Sequence, residues 1–326
     1  MGVQKLKVGI AGLGRMGKRH AFNYLHRTPG AEVVAAFTPD ENERAWGKEN
    51  LEPFGVTIYS DYDQMLTHQG IQAVIIATAT KVHAEESLSA LAKDLHVLCE
   101  KPISLDVGTC EKVIKAAEAK PHLKFLCGFS RRFDASYRDA FEKAKAGTIG
   151  EPVFIRSQTF HDIDLTLWFF GEDTPVKSIS ASGIRAVHPD LAQFNDFDNA
   201  VGIVEFWGGK VAYYFCSRMM AHGQEDTTEI IGTGGKLVVN GNPQANLLNT
   251  YTDQGIIRET PPDYWGRFEY AFVNESKEFT EAILNNTKLP FGLTGALRGV
   301  QIGGALQEAL VSGKKLYFDE SGKRIQ

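Results

Sequence analysis

The sequence predicts an α/β fold: a doubly wound parallel sheet first, then an α+β domain with an open, mainly antiparallel sheet. Three observations predict it. From Lys7 to Phe129, short apolar runs alternate with helical patterns, the rhythm that builds a parallel sheet. Glycines 12, 14 and 17 follow the first apolar run in G-x-G-x-x-G spacing and open a helix. Past Phe129 come longer alternating segments, split by Gly208-Gly209 and Thr233-Gly234-Gly235, as in antiparallel hairpins.

Bulk properties narrow the class. A chain of 326 residues has room for two domains. With 43% hydrophobic and 23% charged residues it is an ordinary globular sequence. A formal net charge of −5 argues against a nucleic acid or an anionic membrane as partner. The four cysteines have no metal-ligand spacing, so no metal is expected, and Cys99, Cys127 and Cys216 sit in apolar runs that suit buried thiols. There is no signal peptide and no apolar run of about 18 residues, so the expected compartment is cytoplasmic.

The first strand is the run around Val8, Ile10 and Ala11, and Lys18–Arg27 reads as the first helix. Between them Gly12, Gly14, Arg15, Met16 and Gly17 form the predicted cofactor loop. The first glycine permits a tight turn, the second lets backbone approach a pyrophosphate, and the third lets helix and strand pack closely. The helix N-terminus then faces the anion. This is the dinucleotide-binding, or Rossmann, arrangement. Ala31–Phe37 is the second strand. An acidic residue is usual at its tip, to hold the ribose of NAD. Thr38 stands there instead, and Asp40 comes two residues late. A hydroxyl tolerates the extra phosphate of NADP, within reach of Arg44; equally, Asp40 only caps the next helix. The cofactor is therefore NAD or NADP.

Thr57–Ser60, Ala73–Ala77, His96–Cys99 and Phe125–Phe129 complete six strands, with helices at Asp63–His68, from His83 to Lys93 and at Val107–Ala119. Thr78, Ala79 and Thr80 follow the fourth strand, and Glu100, Lys101 and Pro102 the fifth, at the carboxyl ends where open α/β sheets bind ligands. The predicted domains are 1–128, dinucleotide-binding, and 129–326, for substrate and oligomerisation. In the second, helices are expected at Tyr137–Ala146, around Asp164–Phe170, at Phe268–Leu284 and at Leu297–Ser312. Strands are expected at Val153–Ser157, Val176–Val187, Asn199–Trp207, Lys210–Met219, Asp226–Gly232, Lys236–Asn240 and Lys315–Phe318. Phe206, Tyr213 and Phe215 suggest an apolar sheet face, hence a homodimer or homotetramer.

The glycine loop, Ala77–His83, the EKP of Glu100–Pro102, GFSRRFD at Gly128–Asp134 and HDIDLTLW at His161–Trp168 occur in this order. The set resembles the glucose-fructose oxidoreductase/inositol dehydrogenase/rhizopine-catabolism family over nearly the whole chain, most of all its inositol 2-dehydrogenases. The resemblance implies an NAD(P)-dependent enzyme that oxidises a secondary hydroxyl of a cyclic polyol or sugar, or reduces the matching ketone. Lys101 matches the family lysine at the reacting oxygen, and His161 the proton acceptor. Asp164, one helical turn on, matches a ligand of substrate hydroxyls. Arg131 meets substrate or forms a salt bridge; both readings stand. His83 and Glu100 belong to the cofactor-side loops, with His83 ordering rather than catalysing.

The chain departs from the pattern in two places: near Arg267–Glu275, where Phe272 stands in a place some relatives fill with Tyr, and, more largely, in the segment before His161. Relatives usually carry a carboxylate four residues before the histidine, within a stretch of a couple of dozen residues. Here Ser157 holds that place, and only VFIRSQTF separates Pro152 from His161. Evolutionary loss, a splice form and a gene-annotation error all produce such a sequence. Two functions follow: a polyol dehydrogenase impaired as written, or a cofactor-binding sensor without turnover, since the family also includes a transcriptional repressor.

Overall fold

The computed structural model describes residues 4–158 and 161–325. They form two compact units, one of residues up to Phe133 together with Tyr270–Val300, the other of Asp134–Glu269 with the described residues from Gln301 on.

In the first unit the order is β1 (Leu6–Ala11), α1 (Arg15–His26), β2 (Ala31–Phe37), α2 (Glu41–Asn50), β3 (Thr57–Tyr59), α3 (Tyr62–Met65), β4 (Ala73–Ile76), α4 (His83–Ala92), β5 (His96–Cys99), α5 (Val107–Glu118) and β6 (Phe125–Cys127). The strands lie in the order β3-β2-β1-β4-β5-β6, all parallel. Val74, Ile75 and Ile76 of β4 are wholly buried, as a central strand covered on both faces requires. Asp40, Asp61 and Asp106 cap α2, α3 and α5 through the amides of Glu43, Gln64 and Thr109. Each cap is worth about 1 kcal/mol.

The register places the site. Phe37 is level with Ala11, Ala11 with Ile76, Ile76 with Cys99, and Cys99 with Cys127. Five consecutive carboxyl ends therefore form one straight edge. The loops starting at Gly12, Thr38, Ala77, Glu100 and Gly128 all leave from it.

The second unit contains α6 (Ala135–Lys145), β7 (Pro152–Ser157), α7 (Asp162–Phe170), β8 (Val176–Ile184), β9 (Asn199–Phe206), β10 (Lys210–Ser217), β11 (Thr228–Gly232), β12 (Gly235–Val239) and a small hairpin, β13 (Thr250–Thr252) and β14 (Gly255–Ile257). Then follow α8 (Tyr264–Leu284), α9 (Thr294–Ser312) and β15 (Leu316–Tyr317). From Tyr270 α8 belongs to the first unit, as does α9 as far as Val300. The large sheet runs β12-β11-β7-β10-β9-β8-β15; only β7 and β10 pair in parallel. β8 stops three residues short of expectation. Asp198 accepts the amides of Ala186, Val187 and His188 at 2.7–2.9 Å and draws the chain out of the ladder.

Phe206 does not lie on the open face of this sheet. It is 2% exposed, and its ring meets Phe170 of α7, centroids 5.6 Å apart. Side chains alternate along a strand, and Phe206 stands three residues from Ile203, which is 40% exposed on the other face. Tyr213 and Phe215 pair opposite Ile203 and Val201 and share that open face. All four cysteines are free thiols.

Candidate active site

The loop after β1 has room for glycine alone at two points. Gly12 has φ +87°, and a Cβ there would sit 2.7 Å from the Ala77 carbonyl oxygen. A Cβ on Gly17 would lie 1.8 Å from the Gly12 oxygen. Gly14 is the N-cap of α1 and carries no side-chain cap, and the helix begins directly after it at Arg15. This cradle, without side chains where a phosphate approaches, fits a dinucleotide. Thr38 is wholly buried, and its hydroxyl donates to Glu43 Oε2 at 2.5 Å. Arg44 Nη1 donates to the Thr38 and Pro39 carbonyls at 3.1 and 2.7 Å.

The loops after β4 and β5 are joined by one ring. His83, 2% exposed, sets Nε2 3.1 Å from the Thr78 carbonyl oxygen and Nδ1 2.9 Å from that of Pro102. The Thr78 hydroxyl donates to Glu86 at 2.5 Å. Burial, with a smaller push from Glu85 and against that hydrogen bond, raises the Glu86 carboxyl to about 7. Ala79 is exposed, and Thr80 half-buried.

Glu100 is buried and bonded to His20 Nε2 at 2.8 Å. Burial opposes its charge, but the His20 hydrogen bond and the nearby Lys101 prevail and hold the carboxyl below its ordinary value. Lys101, half-buried, precedes Pro102 through a cis peptide bond. Burial lowers the proton affinity of its amine; Arg131 and Arg15 lower it further, against the pull of Glu100. Arg131 is 3% exposed, in the loop after β6. Glu275 of α8 is wholly buried, and neither carboxyl oxygen has a hydrogen-bond partner among the described residues. Burial, then the charges of Glu100 and Glu278, push it well above its ordinary value.

In the second unit, His161 is the half-buried N-cap of α7, while Asp162 and Asp164 of its first turn are 1% and 5% exposed. Asp162 lines a cavity of about 220 Å³ with Tyr214 and Cys216 of β10 and Gly303 and Leu306 of α9. Burial, then Asp162, raises the Cys216 thiol to about 12, which keeps it an inert thiol. Ser157 is wholly buried at the end of β7. Its hydroxyl meets that of Thr228 at 2.8 Å, which meets the Tyr137 hydroxyl at 2.8 Å. Residues 159 and 160, at the shortened junction, lie outside the described residues.

The structure thus brings the glycine loop, Thr38, Thr78–Thr80, His83, Glu100, Lys101 and Arg131 to one edge of the first unit, and holds His161 and Asp164 at the start of α7 in the second. Sequence reasoning missed His20 and Glu43. The signal for His20 existed: Gly17, His20, Ala21 and Tyr24 recur at helical spacing and form the buried face of α1.

Residues 6–128 match an oxidoreductase family described by its NAD-binding Rossmann fold, and residues 131–238 match the GFO/IDH/MocA C-terminal domain. The scyllo-inositol 2-dehydrogenase (NAD(+)) of Bacillus subtilis is 28% identical over 306 residues, 86% of this chain and 87% of that protein. The match to the uncharacterized oxidoreductase YrbE of the same organism, 25% identical and covering 98% of each chain, runs over 344 residues, more than the 326 present here. That relative therefore carries residues that this chain lacks. The structure of scyllo-inositol dehydrogenase from Lactobacillus casei with bound NAD(H) and scyllo-inositol superposes with a TM-score of 0.91 at 31% identity, over 96% of this chain and 99% of that one. With both domains matched, the chain belongs to the GFO/IDH/MocA oxidoreductase family.

Proposed function

We propose that the chain is a nicotinamide-dependent dehydrogenase acting on a secondary hydroxyl of a cyclic polyol of the inositol type. The observation that carries this reading is the placing of Lys101, with its lowered proton affinity, on the same strand-end edge as the glycine cradle. The bound nicotinamide supplies the hydride acceptor. Gly12, Gly14, Arg15, Met16 and Gly17 hold the pyrophosphate, and Thr78, Ala79, Thr80 and Glu100 shape the loops beside it. Lys101 holds the reacting oxygen, His161 takes its proton, and Asp164 and Arg131 bind further hydroxyls. The free thiols suit the cytosol. A second copy of the chain covers the open sheet face around Ile203 and Tyr213, as a homodimer or homotetramer.

A second reading, a sensor that binds cofactor without turnover, is favoured by one observation. The place of the orienting carboxylate is taken by Ser157, whose hydroxyl is engaged inside the core. Losing a comparable orienting acid costs a serine protease about 10⁴ in rate. Stopped-flow hydride transfer with myo- and scyllo-inositol, with cofactor affinity measured in parallel, decides between them. Turnover at least about a hundredfold below that of relatives with the full segment supports an impaired dehydrogenase. Binding with no hydride transfer supports the sensor. Failure to bind the dinucleotide overturns both.

A further inference from the structure

Glu43 belongs to no motif of the sequence. It is the third residue of α2, and its side chain turns back over the strand-end edge. Oε2 accepts from the Thr38 hydroxyl at 2.5 Å and from the Leu13 amide at 3.3 Å. Oε1 lies on the side of Gly14, 3.2 Å from where a Cβ would stand. One half-buried carboxylate thus touches both the tip of β2 and the glycine loop.

The other charged candidates at this tip are committed. The Asp40 carboxylate accepts the Glu43 amide at 2.9 Å as the cap of α2. Arg44 Nη1 is turned to two backbone carbonyls. A dinucleotide fold places an acceptor at this tip for the two ribose hydroxyls, and Thr38, in the usual place, points its hydroxyl hydrogen into Glu43.

We propose that Glu43, delivered from the helix rather than from the strand end, is the ribose-binding carboxylate of this chain and makes it select NAD over NADP. The proposal rests on the dinucleotide reading above. A carboxylate accepts hydrogen bonds from both hydroxyls of a ribose diol. It meets a 2′-phosphate as like charge against like charge, which disfavours that partner. The Thr38 and Leu13 donors fix the carboxylate before any ligand arrives, so little ordering is lost on binding.

The test is equilibrium binding of NADH and NADPH, followed by nicotinamide fluorescence, to the full chain and to Glu43→Gln, Glu43→Ala and Asp40→Asn. Wild type should bind NADPH at least about a hundredfold more weakly than NADH. Both Glu43 variants should bring the two affinities within about tenfold, chiefly by tightening NADPH. Asp40→Asn should keep the wild-type ratio. Two results overturn the proposal: equal affinities in wild type, which requires no variant to fold, or an unchanged ratio in both Glu43 variants. Wild type binding neither nucleotide overturns the dinucleotide reading itself, and is told apart from the first two results by the loss of NADH.

Discussion

Glu86 offers a direct test of how the first unit holds its charges. Its carboxyl is 7% exposed and raised from 4.5 to about 7, mainly by burial. For an acid raised in the folded state, the unfolded chain releases its proton first as pH rises. Stability is therefore unaffected below 4.5, falls between 4.5 and about 7, and stays reduced above that. The full loss is roughly 3 kcal/mol. Glu86→Gln keeps an oxygen to accept the Thr78 hydroxyl but cannot ionise. Its advantage over wild type should grow from under about 1 kcal/mol near pH 5 to about 3 kcal/mol near pH 8. Any constant effect of the amide cancels in that growth. Hydrogen exchange of the β4 and β5 amides, read by mass spectrometry at matched pH, measures the opening free energy of this unit. Parallel pH curves for the two proteins would refute the reasoning, because they would mean that Glu86 is as well solvated folded as unfolded.

Gly14→Asp sets a second carboxylate against Glu43 and should weaken NADH binding at least tenfold, about 1.4 kcal/mol, by fluorescence titration. Lys101→Met should keep NADH affinity within about threefold while slowing polyol oxidation at least about a hundredfold. In wild type the rate should fall on the alkaline side as the ammonium that holds the reacting oxygen loses its proton, and the lowered proton affinity of this lysine places that fall below the ordinary 10.5; a fall at the ordinary value would contradict the assignment. Ser157→Asp should not restore activity. It forces a charge into a closed chain of hydroxyls, and a urea midpoint should record a loss of more than roughly 3 kcal/mol.

The parallel sheet was legible because its causes are local. Apolar runs such as Ala73–Ile76 and the glycines at 12 and 17 each answer to one steric demand, and the structure shows those demands at 2.7 and 1.8 Å. Glu43 was hidden for a different reason. The expected place for an acid is the end of β2, whereas Glu43 comes from the first turn of α2, and its contact with the Leu13 amide joins residues thirty positions apart, beyond the reach of any local pattern. Phe206 shows the fragility of face assignment: strand and apolar character were read correctly, yet parity alone decided which side it faces. The end of β8 depended on Asp198 gathering three amides from residues ten to twelve positions earlier, a long-range event that no local pattern announces. Nor does any local signal reveal that Tyr270–Val300 packs with the first unit.

The ring of His83 carries a consequence of its own. Two carbonyl oxygens face its two nitrogens, one from each loop. Both contacts are of hydrogen-bond length, 2.9 and 3.1 Å, so a single planar ring spans the loop after β4 and the loop after β5. The separation of its two nitrogens is fixed by the ring itself, so the loops cannot move apart without breaking a contact, and a change in the spacing of either is carried to the other, some twenty residues away in the chain but a ring's width away in space.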